Sequence, residues 1–198
     1  MEHLIQRYRA VAVASVSDAV DALVGVRACM APDLRPIVNG TIVGRAATAL
    51  LRRAPREVAT REASLRDPVT MIDTSAAGDV GVIVLEDGHD VAGLGGLMAV
   101  AAHARGMAGI VCDGAVRDVT ELRGLGMPVV ARGASPTACV GRFVSAGLQV
   151  PVVCGGVRVR PGDLIVANED GVVVVPAEHA EAVLKYAEDL DSREARMI

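Results

Sequence analysis

The stretch VGVIVLEDGHDVAGLGGLMAVAAHARGMAGIVCDGAVRD, residues 80–118, decides the fold. It opens on a strand-sized apolar run, VGVIVL (80–85), and passes through the glycine-rich loop EDGHDVAGLGG. LMAVAAHARG then reads as a helix, and GIVC as a second buried strand that ends at an Asp113-Gly114 turn. Just beyond, VTELRGLG reads as a helix and PVVAR (128–132) as a third strand. Strand and helix alternate through this centre, which predicts parallel pairing.

Working outward, TIVGRAATALLR (41–52) reads as a strand, REVATREASLR (56–66) as a short exposed helix and VTMIDTS (69–75) as a further strand. Pro32, Pro36 and Asn39-Gly40 punctuate a loop. Residues 4–24 turn helical in their second half, with Ser17 or Ser15 as the candidate N-cap before DAVDALV. In VVCGGVRVRPGDLIVANEDGVVVVP, branched-chain segments separated by Pro161-Gly162-Asp163 and Asp170-Gly171 predict antiparallel hairpins. AEHAEAVLKYAEDLDSREARM closes the chain as an amphipathic or charged surface helix. The expected fold class is α/β, one domain over residues 1–198, with a mixed sheet, a βαβ core and C-terminal hairpins.

Composition narrows the function. A chain of 198 residues, 52% hydrophobic, suits one substantial core. No apolar run approaches the ~20 residues of a membrane span. MEHLIQRYRA carries acidic and polar residues where a secretory signal has a basic start and an apolar run, so the expected location is the cytoplasm. Cys29, Cys112, Cys139 and Cys154 are scattered without a CxxC pair, which favours free thiols over disulfides or zinc. A net charge of −4, with no Trp, one Phe and two Tyr, disfavours nucleic acid. Lys185 is the sole lysine and lies in the charged C-terminal stretch, which disfavours Schiff-base chemistry.

The residues with chemical potential gather at two strand ends. The helix at 97–106 begins after Gly93, Gly95 and Gly96, so its first amides are open to an anion. At the end of the next strand, Arg117 can fork onto a carboxylate and Asp118 can hold a hard divalent cation. Both ends open on one edge of a parallel sheet, where α/β proteins bind ligands. Plainer readings compete: a loop ending at a helix, and an Asp118 helix start with Arg117 paired to Glu121. GLGGLM also imitates a dinucleotide fingerprint, with Asp113 as its acid, but Met98 takes the place of the third glycine and EDGHDVA replaces the tight turn. His89 and His103 are the histidines nearest this region, and Glu169 and Asp170 read as hairpin residues.

GGLMAVAAHARGMAGIVCDGAVRD resembles the family of 4-hydroxy-4-methyl-2-oxoglutarate aldolase, with its oxaloacetate decarboxylase activity, and the regulator of ribonuclease activity A. SVSDAVDAL, IVGRAATA, PVVARGASP and PGDLIVANEDGVVVVP extend the resemblance along nearly the whole chain. The resemblance implies a β/β/α sandwich similar to the swivelling phosphohistidine domain, assembled as a homotrimer or dimer of trimers with sites between subunits. It implies a divalent metal, Mg²⁺ or Mn²⁺, held by Asp118, with Arg117 and Asp118 as catalytic residues. Substrate oxygens would lie on Arg117 and on the helix start at Gly95, Gly96, Leu97 and Met98. The implied reaction is C–C cleavage of a small 2-oxo acid to release pyruvate; the alternative is a non-catalytic protein-binding ring like the ribonuclease regulator. This chain departs from the family at Gly96, where an acid usually stands 21 positions before the arginine. His89, Asp90 or a neighbouring subunit's acid such as Glu169 are the expected replacements, and oxaloacetate decarboxylation is the favoured reaction.

Overall fold

The computed structural model describes residues 2–196. Met1, Met197 and Ile198 lie outside the described residues, and with them the ends of the expected 1–198 domain and the last residue of the expected C-terminal helix.

The chain opens with helices α1 (Glu2–Tyr8) and α2 (Val13–Leu23), strands β1 (Arg35–Val38) and β2 (Ile42–Arg53), and helix α3 (Arg61–Thr74). The alternating centre comprises β3 (Val80–Leu85), β4 (Ala92–Leu94), α4 (Gly96–Ala104), β5 (Gly109–Val116), α5 (Val119–Leu125) and β6 (Val129–Ala134). After it come β7 (Phe143–Leu148), β8 (Val152–Cys154), β9 (Val157–Val159), β10 (Leu164–Ala167), β11 (Val172–Val175) and α6 (Ala180–Glu194). The main sheet runs β1-β6-β5-β3-β2-β10-β11, with β4 added to β5 and β7 to β2. Strands β3, β5 and β6 pair in parallel, as the alternation predicts, and β2 joins β3 in parallel as well. The β10–β11 pair is antiparallel across Asp170-Gly171, as those turn residues predict; β8 and β9 pair antiparallel across Gly155-Gly156, whereas Pro161-Gly162-Asp163 joins β9 to β10 without pairing them. The fold is therefore mixed α/β with a βαβ core and C-terminal hairpins.

Strand β3 is buried at every position because both of its faces are covered. Ile83 and Leu85 join Met71, Ile72, Ala99, Ala102 and Leu122 of the helices, while Val82 and Val84 join Val152, Val157 and Val159 of the β8–β9 hairpin. Each of the valine, leucine, isoleucine and methionine side chains among these contributes about 1.5–3 kcal/mol by burial. A third cluster sets Val16 and Val20 of α2 and Val183, Leu184 and Ala187 of α6 over Val43, Leu164 and Val173. Helix α6 is thus amphipathic, with Lys185 on its exposed side.

Four sequence expectations are corrected. VTMIDTS is the second half of α3 and not a strand. Thr60 starts that helix by accepting the Ala63 N–H, and Pro68 stands inside it, with Ser145 of β7 taking the Asp67 N–H beside it. Helix α2 begins before the proposed serine caps, at Ala12, whose N–H goes to Asp191 of α6 while Ser15 Oγ bonds the same carboxylate. The Pro32–Gly40 loop contains edge strand β1, antiparallel to β6, where Pro36 sits next to a register shift. Asp113-Gly114 makes no turn: β5 runs on to Val116, and its pairing with β6 shifts register between Cys112 and Ala115.

Candidate functional site

Two parallel strand ends build the site. Pairing of β4 with β5 sets Leu94 beside Val116, and the Arg117 N–H donates to the Leu94 carbonyl at 3.0 Å. The glycine corner after β4 is thereby fixed against Arg117-Asp118 after β5. A Cβ on Gly95 would lie only 3.0 Å from both Arg117 Nε and Asp118 Oδ2, so a side chain here would press on both of those side chains.

Asp118 adopts a left-handed backbone, φ 59° and ψ 40°, a conformation that costs a non-glycine residue about 1–3 kcal/mol. It occupies the N-cap position of α5, yet its side chain makes no capping bond there. Instead Oδ2 accepts the Gly96 N–H at 2.9 Å, across the corner. Arg117 Nε lies 3.7 Å from that same oxygen, with the two side chains 46% and 40% exposed. The alternative pairing of Arg117 with Glu121 does not form among the described residues.

Glu121 turns out to belong to the site by another route. A Cβ placed on Gly96 would fall under 3.0 Å from Glu121 Oε2, so the Glu121 carboxylate occupies the space that a side chain at position 96 would enter. Glu121 lies three residues after Asp118, a spacing that sets the two on one face of the α5 start. That spacing was the available signal, and the simpler reading as a partner for Arg117 hid it.

These residues line one cavity of about 300 Å³, together with Gly95, Gly96, Leu97, Met98, Cys139 and Arg61. All six sequence-predicted site positions, Gly95, Gly96, Leu97, Met98, Arg117 and Asp118, are brought together there. The amides of Leu97 and Met98 open α4 without an acceptor among the described residues, while Ala99 N–H already bonds Gly95 O. His89 and His103 do not line the cavity; His89 Nε2 lies 3.7 Å from Asp113 instead. Asp113 is itself buried and committed within the fold, accepting from Arg132 Nε at 2.7 Å and from the Gly155 N–H at 2.6 Å. Asp90 and Glu169 are likewise absent from the lining. Burial pushes the Cys139 thiol up, which keeps it from acting as a thiolate at neutral pH. Arg61, at the start of α3, carried no signal in the sequence.

The donor set suits one kind of metal. Asp118 and Glu121 supply hard carboxylate oxygens, and Mg²⁺ binds through about one or two carboxylates while keeping several waters. No cluster of three or more His, Cys, Asp or Glu stands together among the described residues, so a fully caged ion such as structural zinc does not fit. Amide and guanidinium donors gathered with carboxylates at one corner can hold an oxyanion and a hydrated cation side by side.

Comparison with known proteins identifies the family of the chain. The family model described as "RraA-like: Aldolase/RraA" matches residues 13–174. A relative from Halalkalibacterium halodurans, named "Putative 4-hydroxy-4-methyl-2-oxoglutarate aldolase", is 32% identical over 183 residues, 92% of this chain and 81% of its own length. Other curated relatives are matched over about half of their length, 56% and 50% in two cases. Among solved structures, Streptomyces coelicolor RraAS2, described as an unusual member of the RNase ES inhibitor RraA protein family, superposes with a TM-score of 0.85 at 28% identity, covering 99% of this chain and 96% of that one. A protein from Pseudomonas syringae pv. tomato superposes with a TM-score of 0.86 at 29% identity, covering 99% and 86%.

Proposed function

The chain belongs to the RraA-like, aldolase/RraA family, and on that premise we propose that it is a divalent-metal-dependent lyase that cleaves a C–C bond of a small 2-oxo acid to release pyruvate. The observation that carries this reading is the single corner where the Leu97 and Met98 amides, Arg117, Asp118 and Glu121 line one cavity. The amides and the Arg117 fork bind the substrate's carboxylate and keto oxygens and orient the bond to be broken. Arg117 then lies where negative charge grows as that bond opens, an interaction strongest in the transition state. Asp118 and Glu121 would hold Mg²⁺ or Mn²⁺, which supplies Lewis-acid stabilisation of the same developing charge. Asp118 is pre-set for this by its bond from the Gly96 N–H to Oδ2, and Oδ1 accepts no hydrogen bond among the described residues.

Oxaloacetate decarboxylation needs no proton acceptor, whereas aldol cleavage needs one for the substrate hydroxyl. The favoured reactions are therefore oxaloacetate decarboxylation and, with a base to take that proton, cleavage of 4-hydroxy-4-methyl-2-oxoglutarate. The proposal extends to a β/β/α layering similar to the swivelling phosphohistidine domain and to a cytoplasmic homotrimer or dimer of trimers. Supporting assembly, Leu97 is 82% exposed and Val100 is exposed beside it on α4, apolar surface next to the site that a second copy would cover.

A second reading, a non-catalytic protein-binding ring, is favoured by the likeness to RraAS2. Calorimetry with Mn²⁺ separates the two. The lyase reading predicts saturable binding that Asp118→Ala abolishes; equal heats from the native protein and the variant would overturn it.

A further inference from the structure

The strand that delivers Arg117 and Asp118 carries an irregularity just before them. β5 pairs with β6 as far as Cys112 beside Ala131 and resumes at Ala115 beside Gly133. Asp113 and Gly114 therefore stand together opposite the single residue Arg132, a β-bulge, the device that re-aims side chains next to sites. At the same point β5 changes its other neighbour: Asp113 is its last residue paired with β3, and from Ala115 on it pairs with β4. Side chains alternate along a strand, so losing the bulge would slip the chain by one residue and bring Arg117 to the place of Asp118. The bulge thus decides that it is the Asp118 carboxylate that meets the Gly96 N–H.

Asp113 pins that irregularity. It is buried, and both of its oxygens are taken: Oδ1 accepts Arg132 Nε at 2.7 Å across the bulge, and Oδ2 accepts the Gly155 N–H at 2.6 Å from the turn between β8 and β9. Arg132 also bonds Asp33 in the loop before β1. The turn is itself tightly packed, since a Cβ on Gly155 would lie 2.6 Å from Leu34 and 2.7 Å from Met30. A buried ion pair adds little stability over apolar side chains of the same size, and its best-attested use is to fix register. Here the pair sits at the point where register is decided. We propose that Asp113 is a positioning residue of the site: with Arg132 it locks the β5 bulge and so sets Arg117 and Asp118 at the cavity, which Asp113 itself does not line. The inference rests on the reading of that corner as the functional site.

The test uses the full chain and three variants: Asp113→Asn, the double variant Asp113→Leu with Arg132→Met, and Val183→Ala in the cluster between α2 and α6. Asparagine keeps the size but sets its own amide N–H against one of the two donors; the double variant leaves no charge of the pair behind, which guards against a simple failure to fold. Hydrogen exchange on the metal-free protein reads the corner through the Gly96 amide, bonded to Asp118, and the Arg117 amide, bonded to the Leu94 carbonyl. Both amides should exchange about tenfold or more faster in Asp113→Asn and in the double variant, the scale of one hydrogen bond to a charged group. Val183→Ala should lower the melting temperature and leave the two corner amides at their native rates. Mn²⁺ affinity should fall about 10- to 100-fold in the first two variants, the range for groups that orient a metal ligand, and stay native in Val183→Ala. Native rates at Gly96 and Arg117 in either folded variant of the pair overturn the proposal. Failure of both to fold overturns it as well, since the pair would then hold the fold and not the register. If the native protein binds no Mn²⁺, the lyase reading fails, while the amide rates still decide the positioning role.

Discussion

Gly96→Ala separates the stability of the fold from the function of the corner. Position 96 starts α4 and does not have the positive φ that would require glycine, so alanine suits the backbone. Exchanging glycine for alanine in a helix contributes up to about 1 kcal/mol, and less at a first position. Against this, the new Cβ would lie under 3.0 Å from Glu121 Oε2, and ordinary contact begins at 3.4 Å. The obstacle is the end of a flexible, exposed side chain, so it withdraws at little energetic cost and carries the carboxylate away from Asp118. The melting temperature should therefore stay level or rise slightly. Metal affinity should fall by about 10- to 100-fold, the range seen when a group supporting a ligand is displaced. Scanning calorimetry reads the first quantity and titration with Mn²⁺ the second, with Glu121→Gln as the companion variant. A variant that melts as the native protein does and binds Mn²⁺ equally well would refute the role given to Glu121. A collapsed fold would refute the reasoning that the crowding is confined to one mobile side chain.

Arg117→Lys should lower pyruvate release by about 10²–10³-fold with the fold intact, because an ammonium cannot reproduce the fork and one lost transition-state contact is worth about 2.7–4 kcal/mol; an unchanged rate removes Arg117 from the mechanism. Activity should survive borohydride in the presence of substrate, since Lys185 is the sole lysine and sits exposed on α6; a trapped pyruvyl adduct seen by mass spectrometry would contradict this. Acid should weaken the fold in a defined direction. Hydrogen bonds from Arg160 to Glu178 and from Arg7 to Glu188 hold both carboxyls below their ordinary value of 4.5. A depressed carboxyl contributes stability that is present above its unfolded value and lost as pH falls through the folded one. Thermal melts should therefore shift down below about pH 4.5, and Arg160→Ala should flatten that shift; an identical profile in the variant would exclude the pair.

The parallel centre was legible because branched apolar runs covered on both faces leave a strong mark, as in VGVIVL, and the β10–β11 hairpin because Asp170-Gly171 marks its turn. Where long-range partners decide, the sequence is silent. Asp191 starts α2 from the far end of the chain, and Ser145 of β7 takes the Asp67 N–H beside Pro68 inside α3. Strand β7, which carries Ser145, stands in a stretch with no strong periodicity of its own. At the site, Gly95 to Met98, Arg117 and Asp118 were readable from adjacency to strand ends. Glu121 and Arg61 were not, because each enters by a packing geometry: one fills the space above Gly96 and the other reaches in from the start of α3. The Glu121 carboxylate lies in the space above Gly96, where the resemblance leads one to expect an acid, and no reading of the residues flanking position 96 can show that.

Pyruvate release is the most direct test of the central claim. Purified protein, stripped of metal with EDTA, should release no pyruvate from oxaloacetate or 4-hydroxy-4-methyl-2-oxoglutarate above the uncatalysed rate. Restoring Mg²⁺ or Mn²⁺ should bring release back in the native protein and not in Asp118→Ala. Release that is the same in Asp118→Ala, or absent from the native protein with both substrates and both metals, would contradict the lyase proposal.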